Sequence, residues 1–240
     1  MPQYQDITNK CVAIIAARGG SKRIPGKNIR KFLDVPLIGY SITAALEAGV
    51  FDEVMVSTDN AEIAQMAVSL GAKVPFLRSP ATSHDQATTY SVVEEVLMCY
   101  GERKQLFTYG CCIYPGPFVN AIKIREGYRK LYNSTADALV PIVRFSYPVL
   151  RSLTIENGLL TMAWPKYLNE RSQDLPVFYH DCGQFYFFRT QALLRQKKLF
   201  LDSTIPFEIP ESEVHDIDNE EDWKIAELKY KLLLTGQSTD

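Results

Sequence analysis

No stretch of this 240-residue chain is an uninterrupted apolar run of the roughly 18 residues that a membrane-spanning helix needs. The N-terminal MPQYQDITNK lacks the basic start and apolar core of a secretory signal, so the cytosol is the expected compartment. Charge of one sign is also missing. The formal net charge is −2, which gives no global field for nucleic acid, and any anion site must come from a local cluster. The five cysteines form no CxxC pair and no zinc-like spacing with the three histidines. An odd number, with Cys111 and Cys112 adjacent in an apolar run, reads as free and mostly buried thiols in a reducing compartment. Neither GxGxxG nor GxxxxGK[ST] occurs, so hydride transfer on a dinucleotide and a P-loop both lose support.

Alternation is what the chain does have. Cys11 to Ala17 (CVAIIAA) is a continuous apolar run, as in a strand buried on both faces of a parallel sheet. Helix is expected from Pro36 to Ala48, with Gly49 closing it, and from a capping Asn60 to Leu70, with Gly71 closing it. Thr89 to Tyr100, Val119 to Tyr132 and Asn219 to Leu234 also read as helix. Strands are expected at Glu53 to Ser57, Val74 to Leu77, Phe107 to Tyr114, Ala138 to Val143 and Gln184 to Arg189. This spacing argues for one three-layer α/β domain over residues 1–240, with a mainly parallel sheet. Between about 145 and 180 the pattern breaks. Asn157-Gly158 between apolar runs marks a β-hairpin, read as an inserted arm that packs on a second subunit.

Ligands of parallel α/β sheets sit at the carboxyl ends of the strands. The loop after the first strand, Arg18-Gly19-Gly20-Ser21-Lys22-Arg23-Ile24-Pro25-Gly26-Lys27-Asn28, stands there. Its cations and close-approaching glycine backbone suit a polyphosphate. A solvated basic turn is the competing reading from composition alone. His215-Asp216-Ile217-Asp218 is the best metal candidate, because residues two apart in an extended segment share a side. Capping of the helix after Asn219 competes with it.

AARGGSKRIPGKN after the first strand resembles the cytidylyltransferases that activate sialic-acid-like nine-carbon sugars, the CMP-sialic acid synthetase family. VSTDN at 56–60, VPFLRSPATSHDQAT at 74–88 and HDIDNEEDW at 215–223 extend the resemblance over most of the chain. RFSYP at 144–148, RSQDLP at 171–176 and YHDCGQFY at 179–186 resemble the branch acting on pseudaminic acid.

The resemblance implies a Rossmann-like nucleotide-diphosphosugar transferase fold, a homodimer, and transfer of CMP from CTP to the anomeric hydroxyl of an acidic nine-carbon sugar. Its product would feed bacterial surface or flagellar glycosylation. Arg18, Gly19, Ser21 and Lys27 would contact the triphosphate, with Arg18 and Lys27 catalytic; Lys22 and Arg23 would add charge. Asn28, Arg78, Ala87, Thr88 and Thr89 would hold base and ribose. Arg171, Gln173, Tyr179, His180, Asp181 and Gln184 would hold the sugar, and Asp216 and Asp218 a magnesium ion. By residue type alone Arg78 reads as a surface arginine, and His180 equally as a structural histidine. N-acetylneuraminic acid, legionaminic acid, or binding without turnover are the alternatives to pseudaminic acid. One departure motivates the last: Pro115-Gly116-Pro117 is one residue shorter than the family's turn and lacks its threonine.

Overall fold

A computed structural model describes residues 9–236; residues 1–8, most of the stretch tested for a signal sequence, lie outside it. In chain order the elements are β1 (Cys11–Ala16), β2 (Lys31–Phe32), β3 (Val35–Pro36), α1 (Leu37–Ala48), β4 (Glu53–Ser57), α2 (Ala61–Ser69), α3 (Pro80–Ser83), α4 (Thr89–Glu102) and β5 (Tyr109–Ile113). They continue with α5 (Ala121–Tyr132), β6 (Ala138–Arg144), β7 (Leu153–Glu156), β8 (Leu159–Met162), β9 (Tyr179–Asp181), β10 (Phe185–Arg189), α6 (Thr190–Gln196), β11 (Thr204–Glu208) and α7 (Glu220–Gly236).

The main sheet runs β11-β6-β10-β5-β1-β4, and β9 pairs with the far end of β6. β1 is parallel to β4 and β5, and β6 to β11. β10 is antiparallel to both its neighbours. The sheet is therefore parallel-rich, with β10 reversed at its centre and β9 reversed where it pairs with β6. Successive β1 residues serve opposite faces, as the two-residue period of a strand demands. Ala13 and Ile15 join a buried cluster with Ile38 and Ile42 of α1, Ile63 of α2 and Ile124 of α5. Val12 and Ile14 join Val93 and Val96 of α4 and Leu193 of α6. Both faces are covered, which is why β1 reads as an unbroken apolar run.

Local signals work as expected at several ends. Asn60 accepts from the Glu62 and Ile63 amides, and Gly49 closes α1 at φ 66°. Asn157 and Gly158, both at positive φ, form the two-residue turn between β7 and β8, where Glu156 faces Leu159. Val74 to Leu77 is not a strand. Only Lys73 makes a bridge, to Met55, and Pro75 has no N–H to extend it. β11 was not expected; its sequence, TIPFE, carries a proline and lies at the sheet edge. Among the described residues no helix is long and apolar enough to cross a membrane.

Gly110 lies opposite Phe188 across the β5–β10 ladder, and a Cβ added there would sit 2.4 Å from the Phe188 ring. Both flanking layers are filled, so the ring has nowhere to move. Gly110→Ala is expected to lower unfolding free energy by about 1–3 kcal/mol in urea titration. A change within experimental error would show that the sheet yields more easily than this packing implies.

Candidate active site

The basic loop leaves β1 at its carboxyl end and is fixed before any ligand arrives. The Gly19 amide donates to Asp59 Oδ1 at 2.7 Å, and a Cβ at Gly19 would lie 2.8 Å from Asn60 Cβ. Glycine is required there by the close approach of the two chain segments. Asn28 Nδ2 donates to the Arg18 carbonyl at 2.9 Å, which ties the loop's two ends. Ile24 is completely buried in a cluster with Phe32, Leu37, Phe118, Trp223 and Ile217.

That cluster brings a distant acidic segment to the loop. The Ile217 side chain is buried in it, and Asp216, Ile217 and Asp218 all line the cleft. Lys27 Nζ donates to the Ile217 carbonyl, and Arg23 pairs with Asp218 at 2.8 Å. Burial pushes the Lys27 ammonium below its ordinary value, and Asp216 and Asp218 oppose that shift. The segment is also held from behind. Gln184 Nε2 donates to the Glu213 carbonyl at 2.7 Å, Lys123 pairs with the Glu213 carboxylate, and Lys229 Nζ donates to the Val214 carbonyl at 3.0 Å.

Loop and acidic segment form one wall of a cleft of about 770 Å³. The break between β9 and β10 adjoins the acidic segment and adds a further part of the lining. There Gly183 takes φ +61°, and Asp181 to Gln184 turn toward the cleft. Tyr186 O–H donates to Asp181 Oδ2 at 2.5 Å, and burial with this carboxylate raises the phenol's pKa. Two buried polar atoms on the cleft wall, Gln184 Oε1 and His215 Nε2, have no hydrogen-bond partner. A cleft lined by cations, carboxylates and hydrogen-bonding groups suits a charged and a hydroxylated ligand together.

Of the residues expected at the nucleotide, Arg18, Ser21, Lys22, Arg23, Lys27, Asn28, Arg78, Ala87 and Thr89 line the cleft. Arg78 is no surface arginine: it is 9% exposed, with Nε on Ser57 Oγ at 3.0 Å and a terminal nitrogen on the Ser57 carbonyl at 2.7 Å. Burial lowers its pKa from the usual arginine value. Gly19 and Thr88 are not on the lining; the Gly19 amide is spent on Asp59, and Thr88 Oγ1 caps α4 by accepting from the Ser91 amide. On the sugar side only Asp181 and Gln184 reach the cleft. Arg171 pairs with Asp174 at 2.7 Å on the arm, and the His180 ring lies 4.6 Å from that of Phe145. Gln173 and Tyr179 are exposed outside the lining. Asp216 and Asp218 both line it.

A family profile described as Cytidylyltransferase matches residues 12–201. The chain belongs to the cytidylyltransferase family. It is 39% identical over 225 residues to a pseudaminic acid cytidylyltransferase of Campylobacter jejuni, covering 93% of this chain and 97% of that one. A CMP-N,N'-diacetyllegionaminic acid synthase of Legionella pneumophila is 30% identical, with 91% and 95% covered. The structure of a CMP:2-keto-3-deoxy-manno-octonic acid synthetase complexed with CTP superposes with a TM-score of 0.68 over 94% of this chain and 99% of that one. At 16% identity that likeness concerns the fold alone.

The cytidylyltransferase cleft also contains groups that sequence reasoning passed over. Asp85 sits inside a quoted motif, SHDQAT, yet carried no assignment there. Tyr114 lines the cleft at the end of β5, with its hydroxyl bonded to Thr89 and its pKa pushed up to about 12 by burial. Ser41, fully buried on α1, had no motif to announce it. Its hydroxyl lies 3.1 Å from the Tyr114 carbonyl and accepts from the Gly116 amide at 3.1 Å. The short Pro115-Gly116-Pro117 turn is thus pinned by a group from another element. Ser41→Ala leaves the Gly116 amide without this partner and is expected to cost about 1–3 kcal/mol in urea unfolding. A cost below about 0.5 kcal/mol would mean that another group or water holds the turn equally well.

Proposed function

We propose that this cytidylyltransferase transfers CMP from CTP to the anomeric hydroxyl of pseudaminic acid, giving CMP-pseudaminic acid and pyrophosphate. The observation that carries the reading is the cleft itself: a cationic loop, two carboxylates and the hydrogen-bonding break at Asp181–Gln184 line one space. The two relatives above, one naming pseudaminic and one legionaminic acid, support a nine-carbon acid as acceptor. Legionaminic and N-acetylneuraminic acid are therefore the competing acceptors.

In this reading the sugar oxygen attacks the α-phosphorus as the bond to pyrophosphate breaks, and the hydroxyl proton passes to solvent water. The protein's main contribution is placement and charge stabilisation. Arg18, Ser21, Lys22, Arg23 and Lys27 offset charge on the departing phosphates. Arg78, Ala87 and Thr89, with Asn28, border the space for base and ribose. Asp181 and Gln184 accept from or donate to the sugar. Asp216 and Asp218 fit a magnesium ion. They face the cleft from either side of buried Ile217, and two carboxylates completed by phosphate oxygens and water are the donor set magnesium favours. Among the described residues no group of three or more metal-ligating side chains exists, so a cage made of protein alone is not the arrangement. When bound, the ion supplies charge neutralisation on the phosphates.

Pyrophosphate release from CTP, measured with a panel of pseudaminic, legionaminic and N-acetylneuraminic acids, tests the acceptor. The highest kcat/KM is expected with pseudaminic acid, and a clear preference for another acid would replace it. Lys27→Ala is expected to lower turnover by roughly 2.7–4 kcal/mol of barrier, a factor of about 100 to 1,000. Near-normal turnover in the folded variant would remove Lys27 from the site. Chelation by EDTA is expected to stop the reaction, and persistence would remove the metal.

The same reading places the enzyme in the cytosol as a homodimer. Leu153, Ile155 and Leu160, on one face of the β7–β8 hairpin, are 57–76% exposed, an apolar surface suited to a second copy. Arg171 stands on the same arm, away from this chain's cleft. Light scattering at micromolar concentration is expected to give twice the mass of one chain, and a monomer there would exclude the dimer.

A further inference from the structure

The loop's four cations do not stand free. Lys27 and Arg23 engage the acidic segment, as described. Arg18 and Lys22 share a single carboxylate: Asp85 Oδ1 lies 2.6 Å from the Arg18 guanidinium, and Asp85 Oδ2 lies 2.5 Å from Lys22 Nζ. One oxygen for each cation is the arrangement a phosphate group would make with the same pair. The three residues all line the cleft.

We propose that Asp85 is an internal counter-ion which the polyphosphate of CTP displaces from Arg18 and Lys22, so that this residue sets how much phosphate a ligand must carry to close the site. The inference rests on the triphosphate reading of the loop.

First, a carboxylate and a phosphate cannot occupy the same two donors, and like charges brought together there repel. A polyphosphate therefore binds only if its own contacts exceed those it replaces. A ligand that does not reach Arg18 and Lys22 leaves both pairs intact. Asp85 thereby lowers the affinity of every ligand that reaches both cations, and only a ligand with enough phosphate contacts offsets that cost. Second, Asp85 lies on the short connection from α3 to α4, where the Ala87 amide donates to the His84 carbonyl at 3.1 Å. Ala87 and Thr89, both on the cleft lining, follow Asp85 by two and four residues. The counter-ion therefore stands beside the stretch proposed to border the base, while its own ion pairs are confined to Arg18 and Lys22. The Lys22 ammonium and the Arg18 guanidinium hold the Asp85 carboxyl below its ordinary value, as a carboxylate in constant use as a partner requires.

Asp85 is half-exposed, so its substitution does not disturb a packed core. Calorimetric titration of CTP, pyrophosphate and cytidine into the full chain, Asp85→Asn and Asp85→Ser tests the proposal. Both variants are expected to bind CTP and pyrophosphate about three- to tenfold more tightly, the scale of two exposed ion pairs no longer broken on binding. Cytidine affinity is expected to stay unchanged. The gain is expected to shrink between about 50 mM and about 500 mM salt, where screening weakens the pairs in the unsubstituted chain. Unchanged or weaker binding of CTP and pyrophosphate by both variants, while the unsubstituted chain binds them, overturns the counter-ion role alone. Failure of the unsubstituted chain to bind either ligand overturns the triphosphate reading and the counter-ion with it.

Discussion

Ile24 and Ile217 share one buried cluster, and the site depends on that packing. The two residues are separated by most of the chain. Each is flanked by charge: Arg23 and Lys27 on one side, Asp216 and Asp218 on the other. Burying the two isoleucines offsets the cost of bringing a basic loop and an acidic segment to one edge of a cleft. Full burial of such a side chain is worth about 1.5–3 kcal/mol. The exposed ion pair between Arg23 and Asp218 contributes far less than that. The apolar contact therefore positions the charges, rather than the charges holding the segments together.

The same division of labour appears around the cleft. Gly19 is needed for close approach to Asn60 and gives its amide to Asp59, so it shapes the loop from behind. Asn28 ties the loop's ends, Ser41 pins the turn at Gly116, and Gln184 holds the Glu213 carbonyl. Each fixes backbone before a substrate arrives, as a site that works mainly by placement requires. The shortened turn, which in sequence suggested a weakened site, is a tied feature with its own buried partner.

Much of the fold was legible because its signals are local. The unbroken apolar run of β1, the Asn60 cap and the Asn157-Gly158 turn each declare themselves within a few residues. Val74 to Leu77 misled because apolar residues around Pro75 look like a strand until hydrogen bonds are counted. β11 escaped notice because an edge strand with a proline lacks a strong pattern. The Asp216–Ile217–Asp218 alternation was legible by the two-residue period, since Asp216 and Asp218 are exposed or half-buried while Ile217 between them is buried. The sugar-side residues were less so. Asp181 and Gln184 reach the cleft through the β9–β10 break, whereas Arg171, Gln173, Tyr179 and His180 belong to the outlying arm or its base. Nothing in the sequence reports which way an arm folds. Ser41 and Asp85 were missed for a related reason: their partners lie 75 and 67 residues away.

We propose that the loop from Arg18 to Asn28, held against the acidic segment, receives the triphosphate of CTP, and a crystal structure of the protein soaked with CTP and magnesium decides it. Phosphate oxygens are expected within hydrogen-bonding distance of Arg18 and Lys27, and the magnesium ion on Asp216 and Asp218. Cytidine bound with its triphosphate directed away from the loop, and no metal at those aspartates, would contradict it.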